Sequence, residues 1–422
     1  MTFCFQGSNR GLQKLGLIPS SPELRVKRSS YGIGKVVAKK FLSRIEVGNI
    51  IVELPTGDRI EHIGRLPGPH ADIRFTSWRG LGRLLVQGDI GLASGYIDLD
   101  WTSSDVEALI EIGARNGARF LDALGGYLPF RLMNWIAHRG NENTRVRSRR
   151  NIEAHYDLGN DFYRLWLDRR MIYSSAIFRR QDDSLEQAQN RKIERIVEEL
   201  QVSAASTVLE IGSGWGGLAA SIARVGTGRV TSVTISPSQL EEARSLVLRE
   251  QLADRVEFKL QDYREVQGRF DRIVSIEMIE AVGRKFMPRY FETIRDRLKP
   301  GGLCVIQAIT ISDNHFSTYC RRPDFIQRFV FPGGFLPSDQ FFRESLERAG
   351  LRIVASENFG ESYALTLREW RRRFLETWPQ VERLGFAPPF KRLWEYYLCY
   401  SEAGFRSGMI DLGLYSIQHS RT

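Results

Sequence analysis

Val208-Leu-Glu-Ile-Gly-Ser-Gly-Trp-Gly-Gly217 is an apolar run with an acid in it, followed by four glycines within six positions. The pattern reads as a buried strand ending in a tight turn that opens a helix. Glycine at 212, 214 and 216 lets the backbone pass close to a ligand that a Cβ would block. Glu210 stands two residues before the first glycine. A dinucleotide fold places an anionic pyrophosphate at such a helix N-terminus. A carboxylate at the strand end instead suits a cationic or amino-bearing ligand. S-adenosylmethionine (SAM) carries a sulfonium and an α-ammonium, so Glu-x-Gly-x-Gly-x-Gly reads as a methyltransferase turn. A loop that merely needs positive φ would show similar glycines, so the residues that follow must decide.

They continue the pattern. Arg229-Val-Thr-Ser-Val-Thr-Ile235 is a second strand, one helix later. Pro237 to Ala253 reads as a helix with proline at its start and Glu241 and Glu242 early. Arg255–Leu260 is a third strand, followed by Gln261-Asp262-Tyr263, and Phe270–Ile276 is a fourth. Leu298-Lys-Pro-Gly-Gly302 turns into a fifth strand, Leu303 to Ile309. Strands alternating with helices at this spacing predict an α/β fold with a doubly wound, mostly parallel sheet. Ligands bind such sheets at the carboxyl ends of the strands, where Glu210, Thr234, Asp262 and Glu277 all fall.

Bulk properties narrow the class. The chain has 422 residues, enough for two or three domains, and 42% hydrophobic content marks it as globular. Cys4, Cys304, Cys320 and Cys399 form no CxxC pair and the six histidines no HExxH, so no disulfide framework, zinc site or other metal is expected. A reducing compartment fits. No signal peptide is read at the N-terminus, and no run approaches the roughly 18 apolar residues of a membrane span. The net charge of +10 fits nucleic acid, an anionic membrane face, or no specific partner. Arginines cluster at 145, 147, 149 and 150 and again at 368, 371, 372 and 373. Each basic residue near an anionic lipid surface is worth about 1 kcal/mol.

Residues 1–30 read as a mobile basic lead-in. A small α+β unit is expected over 31–140. Within it, Gly48–Asp58 is a strand and turn, Ala71–Thr76 alternates, Trp78–Gln87 suggests a helix and Gly88–Leu99 a glycine-rich return. Residues 104–139 carry helical periodicity through Leu109, Ile112, Phe120, Leu121 and Leu124. Residues 141–150 are the linker, and 151–422 the catalytic domain.

Several further segments carry a resemblance. They are His155-Tyr-Asp-Leu-Gly-Asn-Asp-Phe-Tyr163, Met171-Ile-Tyr-Ser-Ser-Ala-Ile-Phe178, Ile276-Glu-Met-Ile-Glu-Ala-Val-Gly283, Phe325–Gly334 and Asn358-Phe-Gly-Glu-Ser-Tyr363. With the glycine turn they closely resemble the cyclopropane-fatty-acyl-phospholipid synthase family, related to the mycolic acid cyclopropane synthases and fatty-acid methyltransferases. The likeness covers essentially all of 150–420 and extends loosely over 41–101, which implies that the unit over 31–140 is the family's small N-terminal domain, lipid- or membrane-associated. It implies a seven-stranded SAM-methyltransferase sheet and transfer of a methylene or methyl group to the cis double bond of a phospholipid acyl chain. The expected product is a cyclopropane, with a methyl- or methylene-branched chain as the alternative. A peripheral enzyme on the cytoplasmic face of the membrane is implied, acting on unsaturated phospholipids, with a homodimer as the family-based expectation.

The chemistry is physically intelligible. Holding an alkene in line with an electrophilic methyl is largely positional catalysis. Transfer leaves a carbocation, which aromatic faces stabilise by roughly 0.5–2 kcal/mol. A base must then remove a proton, and its position decides between ring and branch. The resemblance implies a bound bicarbonate as that base, cradled by four positions. Carried over, these are Glu280, Tyr363, Ser175 where the family has cysteine, and Gln307 where it has histidine. Gln307 keeps a donor but cannot take up a proton, so another carboxylate, with Glu153 a candidate, is the alternative base. The resemblance places Tyr173 and Ser174 at the methionine portion of SAM, and Gly212, Gly214 and Gly216 at the turn. Thr234, Ser236 and Gln239 fall at the ribose edge, with Asp262 and Tyr263 at the adenine. The acid usual at the end of the second strand is absent, Thr234-Ile-Ser236 standing there. His155 and Tyr156 would hold a lid. Of Trp370, Phe374, Trp378, Trp394, Tyr396, Tyr397 and Tyr400, most read as core and a minority as channel lining.

Two rivals differ in class. A nucleic-acid base methyltransferase would place Asn/Asp-Pro-Pro-aromatic after the fourth strand, where this chain has Ser275-Ile-Glu-Met-Ile. No nucleic-acid partner is therefore expected. A non-catalytic SAM- and lipid-binding protein is suggested by the two cradle departures and opposed by the intact glycine turn.

Overall fold

The alternating residues of 47–75 build a small sheet with one apolar face, as the sequence pattern requires. A computed structural model describes residues 31–117, 158–225 and 228–420. In it β1 (Val47–Glu53), β2 (Arg59–Ile63), β3 (Leu66–Phe75) and β4 (Trp101–Thr102) form a four-stranded sheet in the order β2-β1-β3-β4. Ile50, Val52, Ile73 and Phe75 are buried on its inner face.

Helix Trp78–Gln87 matches the sequence expectation, but Gly88–Leu99 does not. Residues Asp89–Ile97 are a second helix rather than a glycine-rich return. The glycines there are packing residues. An ideal Cβ on Gly91 would lie 2.1 Å from the Arg83 carbonyl oxygen, and one on Gly95 would lie 3.0 Å from the Trp101 ring. Missing side chains let the two helices and the buried Trp101 approach. Helix Val106–Arg115 follows, with Leu109 and Ile112 buried as expected and Asp105 capping its N-terminus. Phe120, Leu121, Leu124, the 141–150 linker, the Arg145–Arg150 cluster, Glu153, His155 and Tyr156 lie outside the described residues.

The second sheet comprises β5 (Thr207–Ile211), β6 (Arg229–Thr234), β7 (Val256–Leu260), β8 (Phe270–Ile276), β9 (Leu298–Ile311), β10 (Leu351–Asn358) and β11 (Ile410–His419). Its order is β10-β11-β9-β8-β5-β6-β7. All pairs from β9 to β7 are parallel, and β11 is antiparallel to both neighbours. Val208, Leu209, Ile273, Val274, Cys304, Val305 and Ile306 are fully buried. Helices cover both faces, so the central strands are continuous apolar runs rather than alternating ones. The expected seven-stranded α/β sheet is thus present, and every strand read around the glycine turn is found within a few residues.

The small unit is tied to helix Pro388–Arg406. The Tyr96 hydroxyl donates to Glu395 at 2.9 Å, and Arg392 Nε donates to the Ile97 carbonyl at 2.7 Å. The cluster at 368–373 is not a free basic patch. Arg371 pairs with Glu402, Arg372 with Glu369 and Glu376, and Arg373 with Glu186 and Glu369. Arg371 and Arg373 join helix Gly360–Glu376 to its neighbours, while Arg372 pairs within that helix.

Gly91→Ala is expected to destabilise the fold by about 1–3 kcal/mol through overpacking. Gly82, in the neighbouring helix, has nothing within 4 Å of an added Cβ. Gly82→Ala should therefore stabilise by about 0.5–1 kcal/mol. Chemical denaturation of both variants checks the pair, and equal effects would refute the packing account.

Candidate active site

β9 runs past the end of β8, so its edge offers backbone groups that no strand satisfies. Two acids that follow β8 take part of that role. The Glu277 backbone N–H donates to the Gln307 carbonyl at 2.8 Å, and Gln307 Nε2 donates back to Glu277 Oε1 at 2.6 Å. Glu280 Oε1 accepts from the Ile309 N–H at 2.7 Å, two residues further along β9.

Glu277 collects further donors. The Ser175 N–H reaches Oε1 at 2.8 Å, and the Tyr363 hydroxyl reaches Oε2 at 2.5 Å. Its backbone has φ of +48°, a conformation that L-residues adopt at a cost of order 1–3 kcal/mol and that clusters at functional sites.

The segment carrying Ser175 is clamped between two helices. From helix Leu185–Leu200, Gln189 donates to the Ser174 carbonyl at 2.9 Å and Lys192 to the Ser174 hydroxyl at 2.7 Å. From helix Gly360–Glu376, Thr366 and Ser362 accept the N–H groups of Ala176 and Phe178. Tyr363 is stacked on Phe405, and the Tyr173 hydroxyl lies 3.0 Å from that of Tyr397.

Of the expected site residues, Tyr173, Ser174, Glu210, Gly212, Gly214, Thr234, Gln239, Asp262, Tyr263, Glu280 and Tyr363 border one cavity of about 1080 Å³. Four do not border it as read. Ser175 is fully buried, its hydroxyl turned to the Ala176 carbonyl, so only its N–H faces the site. Gln307 is buried behind Glu277. Ser236 caps helix Pro237–Arg249 through the Gln239 N–H. Gly216 serves packing, since a Cβ there would meet the Ala243 Cβ at 2.9 Å. Gly214, at φ of +49°, has no atom within 4 Å of the Cβ position, so it is the turn residue that leaves space. Asp262 is held by Arg264 and caps the short turn Tyr263–Glu265. Tyr396, Tyr397 and Tyr400 line the cavity, while Trp370, Phe374 and Trp394 are core.

Charge in this region is expensive. Burial pushes the Glu210 carboxyl up to about 8, against the Ser232 hydroxyl and the Lys192 ammonium, which favour its charged form. Burial, and then Glu277, push Glu280 up to about 8. Its Oε2 has no hydrogen-bond partner among the described residues. Burial also raises Glu277, opposed by Tyr363, Ser175, Lys192 and Gln307. Lys192 falls to about 8 through burial, despite Glu277, Asp168 and Glu210. The sequence put Glu277 at a ligand-facing strand end without giving it a role, and did not single out Lys192. The signal for Glu277 was its place at the end of β8; no local pattern in the sequence marks Lys192.

The sheet, the glycine turn at the end of its first parallel strand and the acids beside it define a SAM-dependent methyltransferase. The chain belongs to the mycolic acid cyclopropane synthetase family, whose model matches residues 143–414. It is 40% identical over 349 residues to the tuberculostearic acid methyltransferase UfaA1 of Mycobacterium tuberculosis, covering 79% of each chain. It is 34% identical over 357 residues to the cyclopropane-fatty-acyl-phospholipid synthase of Escherichia coli, covering 83% of this chain and 88% of that one. Among solved structures it resembles the mycolic acid cyclopropane synthase CmaA1 complexed with SAH and CTAB, with a TM-score of 0.58. That match has 28% identity and covers 64% of this chain and 98% of that one.

The raised Glu280 carboxyl has a measurable consequence. A group protonated more readily when folded contributes stability that is complete below its ordinary value of 4.5 and is lost as pH rises through about 8. Glu280→Gln removes the titration. Between pH 5 and 8 the wild-type unfolding free energy should fall relative to the variant, by at most about 1.4 kcal/mol per pH unit for one proton. Parallel stability curves would contradict this.

Proposed function

We propose that this enzyme transfers a methyl group from SAM to the cis double bond of an unsaturated phospholipid acyl chain, closing a cyclopropane. The cavity carries this reading. It joins the glycine turn and the acids around Tyr363 to the apolar inner face of the small sheet, at Ile50, Val52, Ile73 and Phe75. A long hydrocarbon fits such a lining, whereas a nucleobase or a small polar substrate does not. A methyl- or methylene-branched product is the second reading, favoured by the 40% identity to a tuberculostearic acid methyltransferase.

When bound, SAM supplies a methyl on a cationic sulfur. The chain's residues would hold it as follows. Gly212 and Gly214 let the backbone approach it. Thr234 and Gln239 lie at the ribose, with Ser236 fixing that turn, and Asp262 and Tyr263 lie at the adenine. Tyr173 and Ser174 border the methionine end, and Gly216 seats the helix that opens the turn. Glu210 and Glu280, both strained by burial, are favoured in their charged forms by a cationic ligand and favour it in return. Bicarbonate is left out of this reading, because the donors implied for it already hold the Glu277 carboxylate.

Residues 31–140 would be the lipid-associated unit, 141–150 the link and 151–422 the catalytic domain. The small sheet within 47–102 and the large one within 207–419 support that division. No helix among the described residues is long and apolar enough to cross a membrane. The proposed location is cytoplasmic, at the inner membrane face, where the net charge of +10 favours an anionic surface. A homodimer is proposed from the family resemblance.

The protein is incubated with SAM and vesicles of monounsaturated phospholipid, and the released fatty acids are weighed before and after mild hydrogenation. A one-carbon gain is expected. Resistance to hydrogenation marks a ring, and uptake marks a branched alkene. No gain on any unsaturated phospholipid rejects the function. Tyr363→Phe should lower turnover by about 10–100-fold with SAM affinity nearly unchanged. By calorimetry, SAM affinity should rise severalfold from pH 6 to pH 8 as Glu210 and Glu280 ionise, and less steeply in Glu210→Gln.

A further inference from the structure

We propose that Glu277 is the proton acceptor of this enzyme, its carboxylate standing among the donors that the family resemblance assigns to a bound bicarbonate. The inference rests on the reading of the chain as a methyltransferase of unsaturated acyl chains.

Three of the four positions carried over for the bicarbonate cradle bind the Glu277 carboxylate. These are the Ser175 N–H at 2.8 Å, Gln307 Nε2 at 2.6 Å and the Tyr363 hydroxyl at 2.5 Å. The fourth, Glu280, is itself a carboxylate and occupies the Ile309 N–H. A separate anion would find these donors engaged by Glu277, so the residues present do not fit bicarbonate. They fit an internal carboxylate well. An ionised glutamate offers about four lone-pair sites, and the three donors leave room for one more proton. Glu277 also borders the cavity, with Tyr363 and Tyr173.

The two departures from the family pattern become intelligible together. Only the backbone of residue 175 takes part, so serine there loses nothing. Gln307 donates an N–H that it can neither lose nor gain. It fixes the carboxylate without competing for the proton. The left-handed backbone at Glu277, φ of +48°, turns the side chain back over β9 while its own N–H bonds the Gln307 carbonyl.

The step balances without any further reagent. After methyl addition the acyl chain carries a cationic carbon. One C–H bond breaks, and its electron pair moves to that carbon. It closes a ring bond if the hydrogen sits on the added methyl, or a double bond if it sits on a neighbouring chain carbon. The proton ends on a Glu277 oxygen, giving a neutral carboxylic acid that later loses it to water. Tyr363 keeps its own proton and donates throughout.

The test uses full-length protein, SAM and monounsaturated phospholipid vesicles in buffer stripped of carbon dioxide. Wild-type turnover should be the same with and without added bicarbonate. Glu277→Gln, which keeps size but not basicity, should lose about 100-fold or more of turnover while binding SAM normally by calorimetry. Glu277→Ala opens space for a small carboxylate. Formate or bicarbonate should restore part of its turnover, and formate should raise its unfolding temperature but not that of wild type. Wild-type turnover that falls on stripping and returns with bicarbonate would overturn the proposal. So would full turnover in Glu277→Gln, or a folded, SAM-binding Glu277→Ala that no carboxylate rescues. A wild type that binds SAM yet makes no product under either condition would instead reject the function itself, and the inference with it.

Discussion

A carboxylate buried against a sheet end needs donors from several directions at once. Glu277 obtains them from the loop before helix Leu185–Leu200, from β9 and from helix Gly360–Glu376. Much of the surrounding architecture serves that requirement. Gln189 and Lys192 hold the loop from one side, and Ser362 and Thr366 hold it from the other. Phe405 supports the Tyr363 ring. A buried charge is tolerable only when its hydrogen bonds are satisfied. Loss of any clamp is therefore felt at the carboxylate, although none of the clamping side chains need touch substrate.

The sheet supplies the other constraint. Parallel strands ending in step leave their carboxyl ends as the natural ligand crevice, and β9 extends that crevice by overhanging β8. The same cavity continues to the small sheet, so the N-terminal unit contributes wall rather than ornament. It is tied on by Tyr96, Arg115 and Arg392, polar anchors at the rim of an otherwise aromatic contact. An apolar passage meeting a cluster of buried acids is an unusual pairing. It makes sense where hydrocarbon must meet a cation and then lose a proton.

The reading of the sequence succeeded where local pattern and chemistry coincide. Strand-turn-helix periodicity around Gly212 is a property of neighbouring residues, and β5 to β9 were legible from it. It failed where spacing in the chain hides contact in space. The glycines at 91 and 95 look like loop formers, yet they are required by the approach of Arg83 and Trp101. Arg371, Arg372 and Arg373 read only as a basic cluster, and their partners are acids one turn away or on other helices. Ser175 was carried over by position alone, and only the structure separates its N–H, which meets Glu277, from its hydroxyl, which turns to the Ala176 carbonyl.

The amino-acid sequence by itself determined the class of fold, the glycine turn and the acid that precedes it. Those follow from periodicity and from motifs a few residues long. Only the tertiary structure decided which carboxylate the donors serve. Ser175, Glu277, Gln307 and Tyr363 are separated by 30 residues or more in the chain. No local rule links them. Their convergence depends on the register of β8 against β9 and on the clamp between two helices.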